Sequence, residues 1–272
     1  IVVEKTFTPD KPGNFSGGSV NLNTKDTPDG RVLTLSTSGS YNSQATLSNV
    51  LTQQTGSQDW LGMGGGSREL PAMFSNPTFS APSASQGRTN DSIARLIDQT
   101  SKAFGGRQMQ PGRGKGAPNQ SYGLTFGDQW KLFGAPLGVM SSFNYSRNLS
   151  FYDDGQVASY IYQLGDPTLT RIYSYKEAQA KDEVLWGGLL NSTLQLALNH
   201  KLGLTWVYNQ SGASTNKMTQ GYERDEAAES GSTLRTRALE YTERKLSSAQ
   251  IKGEHAGLPL SARLDWKLTL SD

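Results

Sequence analysis

No cysteine occurs in the sequence, histidine occurs only twice, and no apolar run approaches the roughly 20 residues a membrane-spanning helix needs. Absence of cysteine suits an oxidising compartment, where a free thiol is a liability, but cytosolic proteins show it as well. The two histidines, His200 and His255, have no partner set for zinc or for nucleophilic catalysis. Charge of one sign is also missing: the net charge is +2, and no Lys/Arg-rich block points to nucleic acid. There is neither an initiator Met nor a leader with a basic start and an apolar stretch, so a longer parent polypeptide is expected. Hydrophobic residues make up 35%, and the mean hydropathy is −0.55. That leaves a disordered chain or a β-structure that hides apolar side chains on alternate positions only. Five Trp, eleven Tyr and nine Phe are too many for a solvated coil.

What is present is alternation. In Ala262–Leu270 (A-R-L-D-W-K-L-T-L), Leu264, Trp266, Leu268 and Leu270 share one side, and Arg263, Asp265, Lys267 and Thr269 the other. Period-2 alternation is the mark of a strand with one apolar and one wet face. Leu137–Arg147 repeats it with Leu137, Val139, Phe143 and Tyr145 against Ser142, Asn144 and Ser146. Val184–Leu198 sets Val184, Trp186, Leu190, Leu194, Leu196 and Leu198 against Glu183, Asn191, Thr193 and Gln195; Leu202, Leu204, Trp206 and Tyr208 follow after a tight turn at Asn199–Lys201. With Leu33–Tyr41, Tyr122–Phe126 and one long strand over Leu234–Gly253, this makes about seven strands.

The connections sort into two kinds. Short links (127–136, 199–201, 254–261) interleave with long ones (44–118, 150–182, 212–231). Soluble sandwiches have short hairpins at both ends, whereas transmembrane barrels keep short turns on one side of the membrane and long loops on the other. Aromatics near segment ends suit an interfacial girdle. The competing reading is a soluble meander whose apolar face covers a core. Within the first long loop, Asn90-Asp91-Ser92 is a helix cap followed by Ile93, Leu96, Ile97 and Phe104 on one face, so a helix over the barrel mouth or within the loop is expected. Arg107, Arg113 and Lys115 among glycines read as a mobile basic segment, since the spacing does not fit a phosphate-binding loop.

The stretch Glu4–Asp26 contains G-G-S-V-N-L-N-T-K, in which Gly17, Gly18, Val20, Asn21, Thr24 and Lys25 resemble the segment that closes the plug of TonB-dependent outer-membrane transporters before the chain enters the barrel. D-W-L-G-M-G-G-G-S-R-E-L-P, Asp59–Pro71, resembles a first-extracellular-loop motif in one branch of that family. The resemblance implies an all-β fold: residues 1–30 as the C-terminal end of a plug, then residues 31–272 as part of an antiparallel transmembrane β-barrel. It would hold about seven of about 22 strands, a fragment of a longer chain.

The resemblance also implies a function: uptake of a scarce ligand, such as a metal chelate or an oligosaccharide, across the outer membrane of a Gram-negative bacterium. A periplasmic TonB-type protein would energise it through a plug segment ahead of residue 1. Outer-membrane lipid, and in some arrangements other outer-membrane subunits, would surround the wall. No catalytic residue, cofactor, metal or nucleic acid is implied. Ligand contacts are expected from aromatics and Arg on long loops and the upper inner wall: Trp60, Arg68, Tyr152, Tyr160, Tyr162, Arg171 and Tyr173. The acidic pairs Asp153-Asp154 and Asp225-Glu226 read as solvated loop faces rather than calcium sites. Two rival functions are a transporter-like barrel serving as a structural or assembly component, and a soluble β-sandwich adhesin.

Overall fold

The computed structural model describes residues 2–4, 19–21, 28, 30–65, 68–105, 108–165, 167–223, 233–259 and 262–272. Of the plug-closing motif, Gly17, Gly18, Thr24 and Lys25 lie outside these residues, as do Arg107 and the pair Asp225-Glu226. Val20 and Asn21 fall in β2 (Ser19–Asn21), which pairs antiparallel with β1 (Val2–Glu4) as a separate two-stranded sheet.

The main body is one antiparallel sheet of seven strands, and the chain is all-β in class. They are β3 (Val32–Ser40), β6 (Asn119–Leu132), β7 (Ala135–Ile161), β8 (Thr170–Ala197), β9 (His200–Glu223), β10 (Leu234–Leu258) and β11 (Ala262–Ser271). They pair in that order as an open meander whose outer strands, β3 and β11, each have one neighbour. Between β3 and β6 the chain makes another two-stranded antiparallel sheet, β4 (Asn49–Thr52) with β5 (Gly112–Lys115), and two helices, α1 (Ala84–Gly87) and α2 (Asp91–Ala103).

The expected short turns are tighter still. Phe133-Gly134 joins β6 to β7 with φ of 51° and 81°, the two positive values that a type I′ hairpin needs. Leu198-Asn199 joins β8 to β9. The expected loops 150–182 and 212–231 are mostly strand: β7 and β8 leave only 162–169 between them, and β9 and β10 only 224–233. Their upper halves escape a periodicity reading because a period-2 pattern needs one apolar environment along the whole strand. Here Asp153, Asp154 and Gly155, or the run Ser211–Lys217, put small, polar or charged side chains on both faces and carry no such pattern.

Cross-strand partners share a face, so the register sorts the sheet without ambiguity. Leu35, Leu124 and Phe143 form one row, and Ile251 stands beside Leu204 and Leu268. On this apolar face the large side chains of the lower half are open: Leu35 is 78% exposed and Leu270 70%. The row Tyr122, Tyr145, Trp186 and Gln210 bounds that band above, with Tyr208 and Trp206 alongside. The opposite face is polar: Thr205 donates to Asn191 (3.2 Å), Gln250 to Thr269 (3.0 Å), and Ser38 bonds Ser121 (2.8 Å). Pro28, at the end of the segment entering β3, is buried against this polar face, where Gln129 donates to its carbonyl.

The buried core lies away from the exposed band. Ala45, Val50 and Leu51 of the β4–β5 region pack on Leu149, Phe151 and Ala180 of β7 and β8, flanked by Ala178 and Met218. The insertion 41–118 therefore covers the upper part of the apolar face, just above the aromatic row.

Candidate functional site

Two places in the fold bring chemistry-bearing side chains together, one on each face. On the apolar face, residues 59–65 cross the strands like a strap, with Arg68 folded back on its start. Asp59–Leu61 forms a single 3-10 turn, stopped by Gly62 in the left-handed region (φ 67°). Its carbonyls are taken by successive strands: Tyr145 Oη of β7 donates to Trp60 O (3.0 Å), Trp186 Nε1 of β8 to Leu61 O (2.7 Å), and Gln210 Nε2 of β9 to Gly62 O (2.9 Å). Gly64 N then donates to Glu243 Oε2 of β10 (2.8 Å). Gly62 approaches so closely that a Cβ there would stand 2.6 Å from the Gly212 nitrogen, which is why both positions are glycine.

The strap is closed by its own ion pair. Arg68 grips Asp59 with two nitrogens (2.6 and 2.5 Å), donates to Gln54 O (3.1 Å), and lays its guanidinium over the Tyr241 ring at 4.1 Å. The Asp59 hydrogen bond, opposed by burial, raises Arg68 further above the ordinary guanidinium range. Burial, then the carboxylate of Asp59, pushes the Tyr241 phenol up to about 12. Beneath the strap a cavity of ≈ 330 Å³ is lined by Leu51, Gln53, Trp60, Arg147, Asp182, Asn216 and Tyr241.

On the polar face, high on the sheet, Tyr152 Oη donates to Glu177 Oε1 (2.5 Å), and Lys217 Nζ pairs with Glu177 Oε2 (2.6 Å). This ties β7, β8 and β9 across a bulge at Asp153-Asp154, so that acidic pair sits in a strand and not in a loop. Burial opposes the Glu177 charge, but Lys217 and then Tyr152 outweigh it and hold the carboxyl below its usual range. The hydrogen bond to Glu177, aided by burial, pushes Tyr152 up to about 12. Tyr173 lies beside Tyr175, the rings tilted by 36° with centroids 5.3 Å apart, on the same face of β8 as Glu177, and Arg171 stands over Tyr222 (5.0 Å).

The residues expected to act together thus separate. Trp60 and Arg68 belong to the strap on the apolar face. Tyr152 and Tyr173 belong to the polar face, while Tyr160 pairs with Arg171 near the strand tips and Tyr162 follows the end of β7. Sequence reading missed Glu177 and Lys217, although alternating Glu177, Gln179, Lys181 and Glu183 marked a wet strand face. The helix α2 forms as its cap indicated, Asn90 accepting from Ser92 N and Ile93 N, and it packs within the insertion: Phe104, just past its end, meets Phe74 at 5.5 Å. The basic glycine-rich segment is ordered as β5, with Arg113 and Lys115 donating to Asn49 O and Leu47 O. His200 opens β9 and faces His255, Nδ1 to Nδ1 at 3.2 Å, and Trp266 Nε1 donates to His255 Nε2 (3.1 Å).

Both places offer hydrogen-bonding and aromatic surface. No grouping of three or more His, Asp or Glu fit for a metal ion occurs among the described residues. Comparisons of the chain with known protein families, with curated proteins and with solved structures find no match.

Proposed function

We propose that this chain forms part of the wall of an outer-membrane β-barrel, and that the whole protein is a TonB-dependent transporter for a scarce ligand. The observation that carries the reading is the exposed apolar band, closed above by the Tyr122–Tyr145–Trp186 row and backed by a polar face. Along β8 the band runs from Leu196 to Trp186, matching the about 9–11 residues a tilted strand needs to cross hydrocarbon. A soluble sandwich would bury side chains such as Leu35 and Leu270 against a second sheet, and here they are open. The polar face would line the lumen, and Pro28 lies on that side, where a plug would sit. The free edges of β3 and β11 would be closed by further strands, since unpaired ladder groups in lipid cost several kcal/mol each.

The test is recovery of the native protein from outer-membrane fractions with peptide sequencing. The expected result is a detergent-dependent polypeptide long enough for about 22 strands, with a segment ahead of Ile1 whose deletion abolishes energised uptake by whole cells. Partition into the soluble fraction without detergent would overturn the reading.

A further inference from the structure

We propose that the Asp59–Arg68 strap seats Trp60 in the lipid headgroup layer, so that the insertion 41–118 docks on the membrane surface beside the wall and not over the pore. This rests on the barrel reading above and adds the partner of one surface. Three strands in a row, β7, β8 and β9, bind consecutive strap carbonyls through Tyr145, Trp186 and Gln210, which are register partners of one another. They lie on the same face as Phe143, Leu190 and Leu204, so the strap crosses the side of the sheet that carries the apolar band.

Its height is set as well. The row that binds it is the upper limit of the band, and just above it Arg147, one register step up on β7, reaches diagonally to Asp182, two steps up on β8, as an ion pair (2.6 Å). A charged pair there places the hydrocarbon boundary at the strap itself. At such a boundary Tyr and Trp direct their polar hydrogens to headgroups. Tyr145 and Trp186 spend theirs on the strap, which stands where headgroups would, and the contact passes outward to Trp60. Trp60 is 58% exposed although its backbone is pinned, the disposition of an indole that meets an interface. Its carbonyl makes the tie, and the indole, which borders the cavity beneath the strap, leaves its exposed part to meet lipid.

The experiment is single-site spin labelling of the whole native polypeptide in phosphatidylcholine vesicles. The cysteine-free sequence of residues 1–272 makes it simple. Labels are placed through Trp60→Cys, Leu268→Cys in the band, and Thr269→Cys on the polar face. A nickel chelate carried on a lipid headgroup is expected to relax the Trp60 label several-fold more than either other label, and dissolved oxygen to relax the Leu268 label most. A Trp60 label that responds only to a water-soluble relaxant overturns the proposal while leaving the barrel intact. A label shielded from every relaxant also overturns it and shows a protein seated there. A water-like Leu268 label removes the barrel reading and this proposal with it. In the unlabelled chain, Trp60→Phe is expected to lower the fraction of tryptophan emission that a headgroup-attached quencher reaches; an unchanged fraction counts against the proposal.

Discussion

Where Gly62 crosses Gly212, two backbones touch with no side chain between them, and a Cβ on Gly212 would run into the Tyr241 hydroxyl and the Gly62 backbone. Gly212→Val is therefore expected to lift the strap, at a cost of about 1–3 kcal/mol for overpacking, while the ladder of β9 stays paired. Faster amide exchange confined to residues 59–65 would be the signature; exchange rising through β8 and β9 would contradict it. Arg68→Lys tests the other fastening. Lysine keeps the charge but loses the two-nitrogen grip on Asp59 and the flat contact with Tyr241. With Arg68 and Asp59 side chains only 22% and 16% exposed, the expected loss is about 1.5–3 kcal/mol. A matching fall in the strap's resistance to proteolysis is the readout. These contacts were not legible in the sequence. The motif D-W-L-G-M-G-G-G-S-R offered an acid, a base and a glycine turn, but which face they would meet depends on strands about 80–180 residues away.

Strands were legible where one environment acts on one face along their length, as in β11 and the lower halves of β7, β8 and β9. They became illegible where that face passes from the open band to the cover of the insertion. One trace of the change was present: beyond Arg147 the alternation resumes with Leu149 and Phe151, which an exposed loop has no reason to keep. The tie Tyr152–Glu177–Lys217 belongs to this upper region and gives a pH-dependent prediction. Tyr152 titrates near 12 in the folded chain, against about 10 when unfolded. A raised phenol holds its proton longer in the native state. Its contribution is thus complete below about pH 10 and is lost as pH rises through about 12. Glu177→Ala is expected to bring Tyr152 back toward the ordinary range, leaving Tyr241 high. Ultraviolet titration of phenolate checks this, and an unchanged high-pH step of the same size would refute it.

For the whole molecule, short links alternating with longer ones were foreseen, although two of the expected long loops, 150–182 and 212–231, are mostly strand, and the meander order follows from that alternation. An open sheet of seven strands is what the alternation could specify; closure is not written in these residues. In intact cells the barrel reading expects protease to cut within 162–169 and to leave Phe133-Gly134 and Leu198-Asn199 untouched until the outer membrane is opened. Cutting at both ends with equal ease would argue for a soluble sheet.

The strands also outrun the band. From Trp186 upward β8 continues from Leu185 to Thr170. At about 3.3 Å per residue and a tilt of about 40°, that stretch rises roughly 40 Å. If the sheet is the wall of a barrel as proposed, that wall would end in a chimney, its rim standing clear of the bilayer and into whatever sugar coat the cell carries. Tyr160, Tyr162 and Arg171, at the lip, would then be first to meet an arriving molecule, an antibody or a phage as readily as a nutrient.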